Sequence, residues 1–124
     1  MKVMDVWQYR ENTWGDSDLE GFGVEAIDGS IGKIDRASAD VGSSRIVVDT
    51  GPWIFGKKVM LPAGVIDRVD LQEEKVFVNR SKDEIKNAPE YDDALFEDET
   101  YRGEVGSYYG PGGAGYRDWD RPSL

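Results

Sequence analysis

The sequence predicts a mainly β fold: a small β-barrel over residues 19–91 that carries a short C-terminal helix, preceded by a segment over 1–18 and followed by a disordered tail over 92–124. Three observations predict it. Short runs rich in β-branched residues recur between glycine-containing breaks, the densest being Arg45-Ile46-Val47-Val48-Asp49-Thr50. Asp28-Gly29 stands between two such runs and is a tight-hairpin signal. Beyond Tyr91 acidic residues and glycine replace the aliphatic side chains that a core needs.

The elements follow in order. Residues 1–18 place Met4, Val6, Trp7 and Tyr9 where they can lie along one side of a segment packed on the barrel. Gly23-Val24-Glu25-Ala26-Ile27 and Ile31-Gly32-Lys33-Ile34-Asp35-Arg36-Ala37 form the hairpin around Asp28-Gly29, and residues 39–44 make a polar loop. Arg45–Thr50 is a well-buried strand, broken at Thr50-Gly51-Pro52. Trp53-Ile54-Phe55 is an apolar triplet, and Lys57-Lys58-Val59-Met60-Leu61-Pro62 is the next short strand. In Val65–Leu71, Asp67 interrupts the apolar face of Val65, Val69 and Leu71, which predicts a bend or a sheet edge. Gln72-Glu73-Glu74 turns the chain into the last strand, Lys75–Asn79. Ser81-Lys82-Asp83-Glu84 is a capping box, so a helix starts near Lys82, and Pro89 confines it to about Asn87.

Composition excludes much chemistry. The 124 residues include no cysteine and no histidine, which removes disulfides, thiolate catalysis, zinc–thiolate sites and the usual nucleophilic triad. The net charge of −10, from 15 basic and 25 acidic residues, repels phosphate backbones and anionic membranes. Direct nucleic-acid contact and membrane insertion are therefore not expected. Met1–Trp7 lacks the apolar stretch of a signal peptide and reaches an acid at Asp5; the expectation is a soluble cytoplasmic protein.

The run Gly21-Phe22-Gly23-Val24-Glu25-Ala26-Ile27-Asp28-Gly29-Ser30-Ile31-Gly32-Lys33-Ile34 resembles the opening of a PRC-barrel domain. The later order is similar too: Ile46-Val47-Val48, then Lys58–Pro62, then Val76-Phe77-Val78 with a Ser-Lys-Asp helix start, and a closing Ala88-Pro89-Glu90-Tyr91. The resemblance covers Leu19 to Tyr91. It implies a small β-barrel of the kind found in the photosynthetic reaction-centre H subunit and in the ribosome maturation factor RimM, where it binds and assembles rather than catalyses. A stand-alone bacterial member is the form it implies here.

Several sharper motifs resolve into plainer ones. Gly21-x-Gly23-x-x-Ala26 satisfies a loose dinucleotide fingerprint but leads into a hairpin, not a helix, and Gly110-x-Gly112-x-x-Gly115 follows no strand. No cofactor is expected. Asp16–Gly21 resembles half a calcium loop, yet Ile27 occupies the position that needs a bidentate glutamate. Carboxylate pairs such as Asp67 with Asp70, or Asp35 with Asp49, read as solvated turn acids, so an enzyme is not expected.

Two candidate contact regions remain. Trp53, Ile54 and Phe55 cannot all face one side of a strand, so either one faces outward as a binding anchor or the loop folds over the barrel. Lys57 and Lys58 beside them form a charged rim or protect a strand edge. In the tail, Tyr108, Tyr109, Tyr116 and Trp119 either order on a partner or decorate a spacer. The expected function is a protein-binding adaptor for an unidentified partner, with open strand edges that invite self-association. The alternatives are a small-ligand or divalent-cation regulator, and a ribosome-assembly accessory factor that reaches basic proteins rather than RNA.

Overall fold

The computed structural model describes residues 19–38, 44–51 and 57–116. Its frame is one six-stranded mixed sheet: β1 (Gly23–Ala26), β2 (Gly29–Ser38), β3 (Arg45–Asp49), β4 (Lys58–Pro62), β5 (Ile66–Asp70) and β6 (Lys75–Val78). The order across the sheet is β4-β3-β2-β1-β6-β5, with every neighbouring pair antiparallel except β1 and β6.

Local chemistry accounts for these elements. The β1–β2 hairpin turns at Asp28-Gly29, with Gly29 at a φ of 139°. Gly32, at 142°, lies so close to β3 that a Cβ would fall on the Asp49 carbonyl. The bend expected at Asp67 is a register shift between Ile66 and Arg68, and β5 is indeed an edge strand. Helix α1 (Lys82–Lys86) begins at the expected capping box: Ser81 Oγ accepts from the Glu84 N–H, and Glu84 accepts from the Ser81 N–H. The hairpin docks there too, because the Lys82 N–H donates to Asp28 at 2.9 Å.

Two expectations are corrected. The sheet does not close into a barrel: β4 and β5 stand at opposite edges and are linked by a buried 3-10 turn, Ala63–Val65, rather than by a ladder. Nor is 92–116 a disordered tail. Asp93–Leu95 is a 3-10 turn, and helix α2 spans Glu99–Tyr109, capped by Asp98, which accepts from the Tyr101 N–H. Phe96, Tyr101, Val105 and Tyr109 belong to the same core as Val24, Ile34, Ile46, Leu61 and Val76.

This segment covers the outer face of the sheet. Ile46, Val47 and Val48 are successive residues on β3 and all are fully buried, so both faces of that strand are covered. Ile46 and Val48 share one face. Arg45 and Val47 share the other, together with their cross-strand neighbours Met60, Arg36 and Ser38. It is this second face that meets Phe96, and α2 packs on β4 beside it.

The glycines of the expected tail show how it folds back. A Cβ at Gly113 would fall on the carbonyl oxygens of Ser107 and Tyr108, and one at Gly115 on the Tyr108 ring. The Gly115 N–H donates to the Tyr108 carbonyl at 2.9 Å, which closes the turn over the end of α2. Close packing, not flexibility, requires glycine at both positions.

Candidate functional site

Four cations of the sheet meet the segment that follows α1. Lys57 Nζ donates to Glu90 at 2.9 Å. Lys58 Nζ donates to Asp35 at 3.1 Å and to Asp93 at 3.2 Å. Arg45, only 1 % exposed, pairs through Nη2 with Glu97 and donates through Nε to the Phe96 carbonyl at 3.1 Å. The Phe96 ring lies between two guanidiniums, Arg36 at 3.7 Å and Arg45 at 4.1 Å from its centroid. Tyr91 adds a backbone bridge to Lys58, which covers the start of the β4 edge.

A second buried arginine holds the far end. Arg80 Nε donates to the Gly115 carbonyl, and Nη2 to the Tyr109 carbonyl at 3.3 Å. Tyr108 reaches α1, its hydroxyl donating to the Glu84 carbonyl at 2.6 Å. Arg45 and Arg80 thus fix the C-terminal segment at two points.

Ionisation follows this packing. Hydrogen bonds to Asp35, then Asp93, hold the Lys58 ammonium above its ordinary value, and the bond from Lys57 holds the Glu90 carboxyl below its own. Burial, reinforced by Asp93, pushes Tyr91 up to about 12. Burial raises Tyr101, Tyr108 and Tyr109 as well.

Beside α2 the segment leaves a cleft of about 360 Å³, lined by Pro89, Glu90, Leu95, Asp98, Thr100, Tyr101 and Glu104. Its lining combines the carboxylates of Glu90, Asp98 and Glu104 with apolar surface of Pro89, Leu95 and Tyr101. The Tyr101 hydroxyl donates to the Pro89 carbonyl at 2.9 Å and ties the two walls together.

The sequence-predicted contact residues separate on this frame. Trp53, Ile54 and Phe55 lie outside the described residues, as do Trp119 and the first half of Asp16–Gly21. Of the residues on either side, Thr50 and Lys57 are joined: the Thr50 hydroxyl donates to the Lys57 carbonyl at 2.7 Å. Lys57 and Lys58 are paired with acids of 90–93 and with Asp35. Tyr109 is fully buried, Tyr108 half-buried, and Tyr116 is exposed. Glu90, Asp98, Tyr101 and Glu104 were not among the sequence candidates. The spacing of Tyr101, Val105 and Tyr109, four residues apart, is the signal that could have found α2. Among the described residues no group of three acidic side chains converges as metal ligands would, and no helix is long and apolar enough to cross a membrane. Compared with protein-family models and with curated proteins, the chain matches none.

Proposed function

We propose that the chain is a non-enzymatic, cytoplasmic protein-binding module related to PRC-barrel domains through its sequence, with an open sheet in place of a closed barrel, and an adaptor that receives a basic segment of a partner protein in the cleft beside α2. The cleft itself carries this reading. A lysine or arginine stem packs on apolar surface such as that of Leu95, Pro89 and Tyr101 while its charged end reaches carboxylates such as Glu90, Asp98 and Glu104. The net charge of −10 favours a basic protein over a nucleic acid for the same site. Lys57 pairs with the cleft residue Glu90, and Trp53, Ile54 and Phe55, which precede it in the sequence, are the proposed second contact.

The test is a titration of the isotope-labelled full chain with a short lysine–leucine peptide, followed by amide NMR. Saturable shifts at Leu95, Thr100, Tyr101 and Glu104, abolished by Glu90→Lys with Glu104→Lys, support the reading. Equal shifts with a glutamate–leucine peptide, or none at the cleft, overturn it.

A further inference from the structure

We infer that β5, the open edge of the sheet, pairs antiparallel with β5 of a second copy about a two-fold axis at Val69, so that two six-stranded sheets join into one. This edge is separate from the cleft, and the pairing does not depend on what the cleft binds.

The two edges of the sheet differ. β4 is bridged by Tyr91 at Lys58 and has α2 packed on it. β5 pairs with β6 on one side, and among the described residues no strand or bridge pairs with the other. The backbone groups of that side are a template for a further strand. Side chains select the strand. Val69 stands opposite Val76 and packs half-buried against the core, whereas Arg68 stands opposite Phe77, so Arg68 and Asp70 share the outer face. The Arg68 guanidinium lies on the Phe77 ring at 3.8 Å, and among the described residues no acid pairs with it. Asp70 accepts from the Glu73 N–H through one oxygen and leaves the other open. A two-fold axis between identical antiparallel strands sets one residue opposite its own copy. Of the registers centred within 67–70, those at Asp67, Arg68 and Asp70 bring like charges together on the axis. Only the register at Val69 avoids this. It sets Arg68 opposite Asp70 of the second copy twice over, on the outer face, and joins the two Val69 side chains on the inner one. β5 holds two acids and one base, a net charge of −1 against −10 for the whole chain, so self-repulsion is weak at this edge.

Sedimentation of the full chain over a concentration series reaching about millimolar tests the pairing. The expected result is a monomer–dimer equilibrium. Arg68→Asp and Asp70→Arg each set like charges across the edge, and each should raise the dimer dissociation constant roughly tenfold. Mixing these two chains restores opposite charges at both places, so a mixed dimer should form with about the parent affinity. A second readout depends on register. The sequence has no cysteine, and the axis brings the Cβ atoms of residue 69 in the two copies to about 5 Å, so Val69→Cys should give a disulfide-linked dimer on mild oxidation. Leu71→Cys, roughly 14 Å along the strand from its own copy, should not. A chain that stays monomeric throughout, a dimer that neither charge variant weakens, or Leu71→Cys linking as readily as Val69→Cys overturns the inference. If either charge variant lacks the parent's cooperative thermal transition, the cysteine pair decides.

Discussion

Replacing Phe96 with alanine is the most informative perturbation of the C-terminal segment. The ring is 6 % exposed, and it is sandwiched by guanidiniums at 3.7 and 4.1 Å. Truncating a buried phenylalanine costs about 3–5 kcal/mol through lost transfer energy and the cavity left behind. The site lies on the outer face of the sheet, where the segment around Phe96 can partly collapse, so the lower end, about 3 kcal/mol, is expected. For a domain of this size that lowers the thermal midpoint by roughly 12 °C or more. Phe96→Leu keeps most of the volume and loses the aromatic face, at a cost of about 1–2 kcal/mol. Thermal and urea unfolding of the full chain, followed by circular dichroism, measure both variants. A change within about 0.5 kcal/mol for Phe96→Ala, as at an ordinary surface site, would refute the packing described above.

The remaining predictions concern the same segment. Among the described residues the Tyr109 hydroxyl is buried with no hydrogen-bond partner, so Tyr109→Phe should leave stability unchanged or raise it by about 1–2 kcal/mol, whereas Tyr101→Phe, which loses the bond to Pro89, should lower it by about 1 kcal/mol; the reverse order in urea unfolding contradicts the structure. Gly103 faces open space within α2, and Gly103→Ala should stabilise by about 0.5–1 kcal/mol, while Gly115→Ala, driven against the Tyr108 ring, should destabilise by about 1–3 kcal/mol. The raised tyrosines set an alkaline limit. Folding favours their neutral form, so their contribution is complete below the unfolded value of about 10 and is lost as pH rises through the folded values, about 12 for Tyr91. Stability should hold from neutral pH to about 10 and then fall, and a Tyr91→Phe variant that loses stability between about pH 10 and 12 as steeply as the parent chain does would contradict Tyr91's share in that fall.

The sheet was legible because its signals are local. β-branched density marks β3, Asp28-Gly29 forms its turn whatever surrounds it, and the Ser81–Glu84 box needs only its own backbone. Asp67 was legible as a bend because a carboxylate on the apolar side of a strand must reach water, which only a bend or a sheet edge allows. The C-terminal segment was not legible. Its glycines have the composition of a flexible spacer, and only the folded chain shows that Gly113 and Gly115 sit where a Cβ would strike a carbonyl or a ring. Acids such as Glu90 and Glu97 carry no local signal of a partner, because Lys57 and Arg45, which pair with them, are distant in sequence. Two fully buried arginines run against the ordinary preference of that side chain for the surface. Nothing short of tertiary structure singles out Arg45 and Arg80 from the other basic residues. The cleft was missed for the same reason, since most of its lining, from Leu95 to Glu104, comes from a segment expected to be disordered.

The central claim is that residues 93–116 are part of the folded domain and cover the outer face of β2–β4. Native-state hydrogen exchange of the full chain at neutral pH tests it most directly, by comparing the amides of Tyr101–Tyr109 with those of Ile46–Val48. The account predicts that the α2 amides after the first turn are strongly protected, by a factor approaching that of β3. Exchange of these amides at the rate of an unstructured peptide, with β3 still protected, would contradict it.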